Sequence, residues 1–117
     1  MKLVRFGAPG AEKPGLIDAE GALRDLSAHI DDIGRKTVDP EALARLAALD
    51  PVSLPVAPDG VRIGPCVADV RNFVAVGLNF ADHAAETGAP IPAEPILFNK
   101  APSCIVGPND DLIIPKG

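Results

Sequence analysis

The stretch from Phe73 to Lys100 constrains the fold of this chain more than any other, because its punctuation dictates one order of local structures. FVAV at Phe73–Val76 is an unbroken apolar run and reads as a buried strand. It runs into the Gly77-Leu78-Asn79 turn and a short polar helix over Asn79–Thr87, with Asn79 or Asp82 near its start and Gly88 as its stop. Ala89–Glu94, with two prolines, reads as a loop, and Ile96–Asn99 as another strand. His83 and Glu86 stand three residues apart on the helix, a spacing that puts an imidazole and a carboxylate on one face. A carboxylate can orient the ring and stabilise its charged form, which suits a general base near neutral pH. The same pair on a solvated face is also a common surface feature.

Upstream, Lys2–Phe6 alternates polar and apolar residues and reads as a half-buried strand. Gly7–Pro14 is turn-rich, Gly15–Ala19 reads as a second strand, Gly21 marks a turn, and Ala22–Leu26 reads as a third strand; together they make an antiparallel meander. Ser27–Ile33 predicts a short helical turn ended by Gly34. Asp39-Pro40-Glu41 is a strong helix start: a capping carboxylate, a proline suited to the first helical position, and an acid near the positive end of the dipole. Leu43, Leu46 and Leu49 give that helix an apolar stripe, and Pro51 closes it. Ser53–Gly60 reads as an extended crossing segment in which Leu54 and Val56 pack. Further strands are expected at Val61–Ile63, Pro102–Val106 and Leu112–Ile114.

The expected organisation is a small N-terminal domain over residues 1–60 and the start of a second domain over 61–117. The expected class is α+β, mostly β. Four phenylalanines and neither tyrosine nor tryptophan leave the core to Val, Ile, Leu and Ala. A net charge of −5, with Lys and Arg scattered singly, argues against nucleic acid as a partner. No apolar run reaches the length of a membrane span, and the N-terminus turns into Gly-Ala-Pro-Gly too soon to be a signal peptide. Cys66 and Cys104 lack metal-type spacing and read as free buried thiols in a reducing cytosol.

The text GLNFADHAAETG, followed by PILFNKAPSCIVGPNDDLIIPKG, resembles the fumarylacetoacetate hydrolase superfamily, in particular its acylpyruvate and 2,4-diketo-acid hydrolase branch. The resemblance runs from about Val70 to Gly117. It rests on Gly-Leu-Asn-aromatic-x-x-His-x-x-Glu, then Pro-x-x-Phe-x-Lys, then Gly-Pro before an aliphatic run ending in Pro-x-Gly. KLVRFG, EKPGLID and RDLSAHI resemble the small leading domain of that branch less specifically.

This resemblance implies that residues 61–117 supply the first strands and helix of a mixed β-roll, in the amino-terminal portion of a longer, homodimeric, cytoplasmic enzyme. It implies a hydrolase dependent on Mg or Mn that cleaves a C–C bond of a 2,4-diketo acid to pyruvate and a carboxylic acid. His83 would activate the attacking water, and Glu86 would orient the imidazole and stabilise its charged form. The metal ligands are expected beyond residue 117, so a chain ending at Gly117 is expected to be inactive. A keto-acid decarboxylase or isomerase, a ureidoglycolate lyase, and a catalytically inert fragment stay open.

Asn79 either contacts substrate or caps the helix, with capping the stronger reading from its position. Lys100 either binds an acidic substrate or a metal-ligand carboxylate, or lies free on the surface. Phe80 stands where many members have tyrosine, which removes a hydroxyl donor. Phe98 reads as core. Asp110 and Asp111 read as turn residues, since neighbours in Pro-Asn-Asp-Asp point apart. His29 reads as structural or surface.

Overall fold

The alternation in Lys2–Phe6 forms the strand it predicts, β1, and residues 1–116 are described in a computed structural model. β2 spans Lys13–Ile17 and β3 Leu23–Asp25. The three make an antiparallel meander in the order β1-β2-β3, with Val4 opposite Gly15 and Leu16 opposite Arg24. β2 begins and ends two residues earlier than the sequence suggests. Pro14 lacks a backbone N–H, yet its carbonyl still accepts from Leu26 N at 2.9 Å, so the strand tolerates it near its start. Asp18 ends the strand by turning the chain. Its carboxylate accepts from Glu20 N at 3.1 Å and Ala22 N at 2.7 Å, and Gly21 takes a φ of +88°.

Helix α1, Pro40–Ala47, starts as its sequence requires. Asp39 accepts from the amides of Glu41 and Ala42, both at 3.0 Å, and Pro40 opens the first turn. Leu46 is buried, while Leu43 and Leu49 are half-buried. The core gathers Leu16, Leu26, Leu46 and Leu54, with Leu3, Ile30 and Leu49 packed against it. Around Leu26 the expected helical turn exists as two bonds, from His29 N and Ile30 N to Leu26 O. The crossing segment runs along β3, with Asp25 N donating to Pro55 O and Ala57 N to Leu23 O, each at 2.8 Å. Leu54 packs as expected. Val56 does not: it is 60% exposed, and Ala57 takes the inner position.

The chain divides into two compact units, Met1–Asp69 with Ile105–Gly117, and Val70–Cys104. The boundary read at residue 60 falls within the first of these. Val61–Ile63 is not a strand but a single bridge, Ile63 to Phe6, because Gly64 and Pro65 interrupt it.

In the second unit, β4 spans Phe73–Gly77, α2 Ala81–Glu86 and β5 Ile96–Lys100. β4 and β5 form an antiparallel ribbon with Phe73 opposite Lys100 and Gly77 opposite Ile96. The expectation that FVAV is buried fails: Val74 is 58% exposed and Val76 45%, because a two-stranded ribbon has no second layer over its faces. Phe98 is exposed too, and so is not core. Pro102–Cys104 is a 3-10 turn rather than a strand, as the proline sets the φ of its first residue. Leu112–Ile114 forms no strand and is exposed; no described segment pairs with it.

Five strands and two short α-helices among the described residues make the chain α+β and strand-rich. No described helix is long and apolar enough to cross a membrane. Cys66 and Cys104 are free, as expected, but both are exposed rather than buried.

Candidate active site

The turn between β4 and α2 carries the site's most unusual backbone. Leu78 takes a φ of +48°, the left-handed region that a side chain disfavours. Such a conformation costs about 1–2 kcal/mol and persists where its surroundings require it. Gly77, which would adopt it freely, is the neighbouring residue, so nothing in the sequence singles out Leu78. The strain falls at the turn that launches the helix carrying both candidate catalytic residues.

Helix α2 is shorter than the Asn79–Thr87 expected. Its N-cap is Phe80, with no side-chain cap bond, so Asn79 does not cap it. Asn79 sits one residue outside the cap, where its carboxamide is out of step with the first free amides. Asp82 accepts from His83 N at 2.8 Å. At the other end Thr87 Oγ1 donates to the carbonyls of His83 and Ala84, both at 3.1 Å, and Gly88 at φ +67° ends the helix as predicted.

Ala84, 1% exposed, is the buried residue of α2. A step of 100° per residue puts His83 and Glu86 about 60° apart and both well away from Ala84. Both are exposed, in keeping with that geometry. No hydrogen bond or ion pair joins them among the described residues. Exposed pairs gain little from contact in water, so the ring is not held by the carboxylate in this state.

Lys100 is exposed at the other end of the ribbon from the turn, with its Nζ 5.9 Å from the Phe98 ring centroid. Gly77 and Lys100 differ by four ladder positions, about 13 Å at strand rise. The structure therefore groups His83 and Glu86 on α2, with Asn79 just ahead of the cap, and leaves Lys100 apart. Asp110 has a turn role, accepting from Gly107 N at 2.6 Å, and a second one that the sequence does not signal, described below. His29 is exposed.

Among the described residues, no three of His, Cys, Asp or Glu cluster to hold a metal ion. The donor set therefore does not fit Mg or Mn, which take several oxygen ligands. A cleft of about 460 Å³ in the first unit, floored by Leu16, Leu46 and Leu49, contains none of the candidate residues.

Comparison with known proteins bears on the second unit most. Residues 72–117 match the family described as fumarylacetoacetate (FAA) hydrolase, C-terminal. The matched segment contains β4, α2, β5 and every candidate site residue. The whole chain is 55% identical over 117 residues to a protein of Burkholderia multivorans, and 54% identical to proteins of Burkholderia cenocepacia and Burkholderia ambifaria, each named "Putative hydrolase". The chain spans 42% of the length of these relatives. The likeness to the fumarylacetoacetate hydrolase family therefore covers residues 72–117, and the likeness to the Burkholderia proteins covers this chain's length but less than half of theirs.

Proposed function

We propose that this chain forms part of a hydrolase that cleaves a C–C bond of a 2,4-diketo acid of acylpyruvate type, giving pyruvate and a carboxylic acid. The observation that carries the reading is the strand–turn–helix unit of β4 and α2. It presents His83 and Glu86 together on the solvent face of a helix, within the segment matched to the family. In the proposal His83 takes a proton from water. The hydroxide adds to the C4 carbonyl, and the C3–C4 bond breaks with its electron pair passing to C3. Protonation of the resulting enolate gives pyruvate. Glu86 orients the imidazole and stabilises its cation once water is excluded, which its solvated position does not yet allow. Asn79 and Lys100 are proposed substrate contacts.

The proposal assigns Mg or Mn ligands to sequence outside residues 1–117, and no step above is drawn through a metal. The Met1–Gly117 chain is expected to bind Mg or Mn weakly and to turn over negligibly, which calorimetry on a mass-verified sample checks; tight stoichiometric binding would contradict it. The mixed β-roll, a homodimer and a cytoplasmic location belong to the same proposal. Product analysis tests the chemistry. A protein of the relatives' full length, given an acylpyruvate, should release pyruvate and the acid in equal amounts. Carbon dioxide release without pyruvate would favour decarboxylation, and a rearranged keto acid would favour isomerisation.

A further inference from the structure

Arg62 and Asp110 are 48 residues apart in sequence, on either side of the whole Val70–Cys104 unit, yet they form a two-pronged ion pair. Arg62 Nε donates to Asp110 Oδ1 at 2.7 Å and Nη2 to Oδ2 at 2.6 Å. The same guanidinium reaches Glu12 Oε1 at 3.0 Å and the Gly7 carbonyl at 3.1 Å. Glu12 in turn lies 3.5 Å from Arg5, whose guanidinium grips Asp32 at 2.7 and 2.9 Å. Arg62 is therefore fixed to the β1–β2 loop on one side and to the returning chain on the other. A fork of this kind fixes direction as well as distance. Arg62 holds the carboxyls of both Asp110 and Glu12 below their ordinary range.

The backbone makes the same junction. A Cβ on Gly107 would collide with the Ile63 carbonyl and lie 3.1 Å from Gly64 Cα. One on Gly64 would meet the Glu12 side chain at 2.8 Å. Glycine at position 107 lets these two stretches approach so closely, since any Cβ there would meet backbone.

We propose that Arg62, Asp110 and the Gly64–Gly107 contact form a clamp that joins the two stretches flanking the chain excursion that carries β4, α2 and β5, and so restrains the opening of that excursion. The excursion needs such a restraint. Its ribbon is exposed on both faces, and an isolated two-stranded ribbon is marginal at best. The open end of the ribbon, Phe73 opposite Lys100, faces the base in sequence, so joining the two flanking stretches shortens the loop that the ribbon must close. The clamp does not depend on the proposed function.

Amide hydrogen exchange on this chain tests the clamp without any assay of turnover. Asp110→Asn keeps the size of the side chain and leaves Arg62 its Glu12 and Gly7 partners, so the first unit should stay folded. Arg62→Lys keeps the charge and removes the fork. In both, amides of Phe73–Gly77 and Ala81–Glu86 should exchange at least tenfold faster, with those of the β1–β2 ladder unchanged. Unchanged exchange in β4 and α2 would overturn the proposal. So would equal loosening of both regions, since the pair would then only cement the first unit. If His83→Ala in a protein of the relatives' full length keeps normal turnover while these exchange changes occur, the functional reading fails and the clamp stands.

Discussion

Replacing His83 by alanine, in a protein of the relatives' full length, is expected to lower turnover about a hundredfold or more, the usual scale for loss of a general base. The fold should not suffer. His83 is exposed and its side chain packs on nothing that alanine would leave empty. Its backbone contacts, the amide to Asp82 and the carbonyl to Thr87, do not depend on the imidazole, and alanine favours the helix. Glu86→Gln should be milder, since it removes an orienting charge and leaves the proton acceptor. Steady-state kinetics with matched circular dichroism separates these effects. Near-normal turnover in His83→Ala would make the histidine a surface residue only.

Leu26→Ala should destabilise the first unit by about 2–5 kcal/mol, the range for truncating a large aliphatic side chain in a core. Leu26 is fully buried among Leu16, Leu46 and Leu54. Its amide also ties to Pro14 and its carbonyl receives the turn at His29 and Ile30, so the site has little freedom to collapse. Val76→Ala, on the exposed ribbon, should cost under about 1 kcal/mol. Urea unfolding read by far-ultraviolet dichroism distinguishes them. Equal losses would mean that the ribbon shares the core's packing.

What could be read directly from the sequence was what local chemistry decides. Asp39-Pro40 opens α1 because a cap and a first-turn proline act over three residues. Gly88 ends α2 because the left-handed turn needs it. Burial was not legible in the same way. FVAV and LIIP look identical to a core strand, yet both are exposed, since burial depends on which layer lies above and not on the run itself. The Arg62–Asp110 pair spans too much sequence for any periodicity to signal it. His83 and Glu86 stood out through helical spacing and a family resemblance, and the helix carries both. The absence of a contact between them could not be read from spacing, because two solvated side chains have no burial to bring them together.

We propose further that α2 acts as a cover that brings His83 and Glu86 onto bound substrate. The helix spans six residues with Ala84 buried, and Phe80 and Ile91 on its flanks are 69% and 70% exposed. Segments so weakly packed open easily, and closure would exclude bulk water from the reacting atoms. Hydrogen exchange over Asp82–Gly88, in a protein of the relatives' full length, tests this directly, with oxalate as a keto-acid mimic in the presence and absence of Mg. The account predicts fast exchange in the free protein and marked slowing with the ligand. Equal, slow exchange in both states would mean a rigid preformed site and would contradict it.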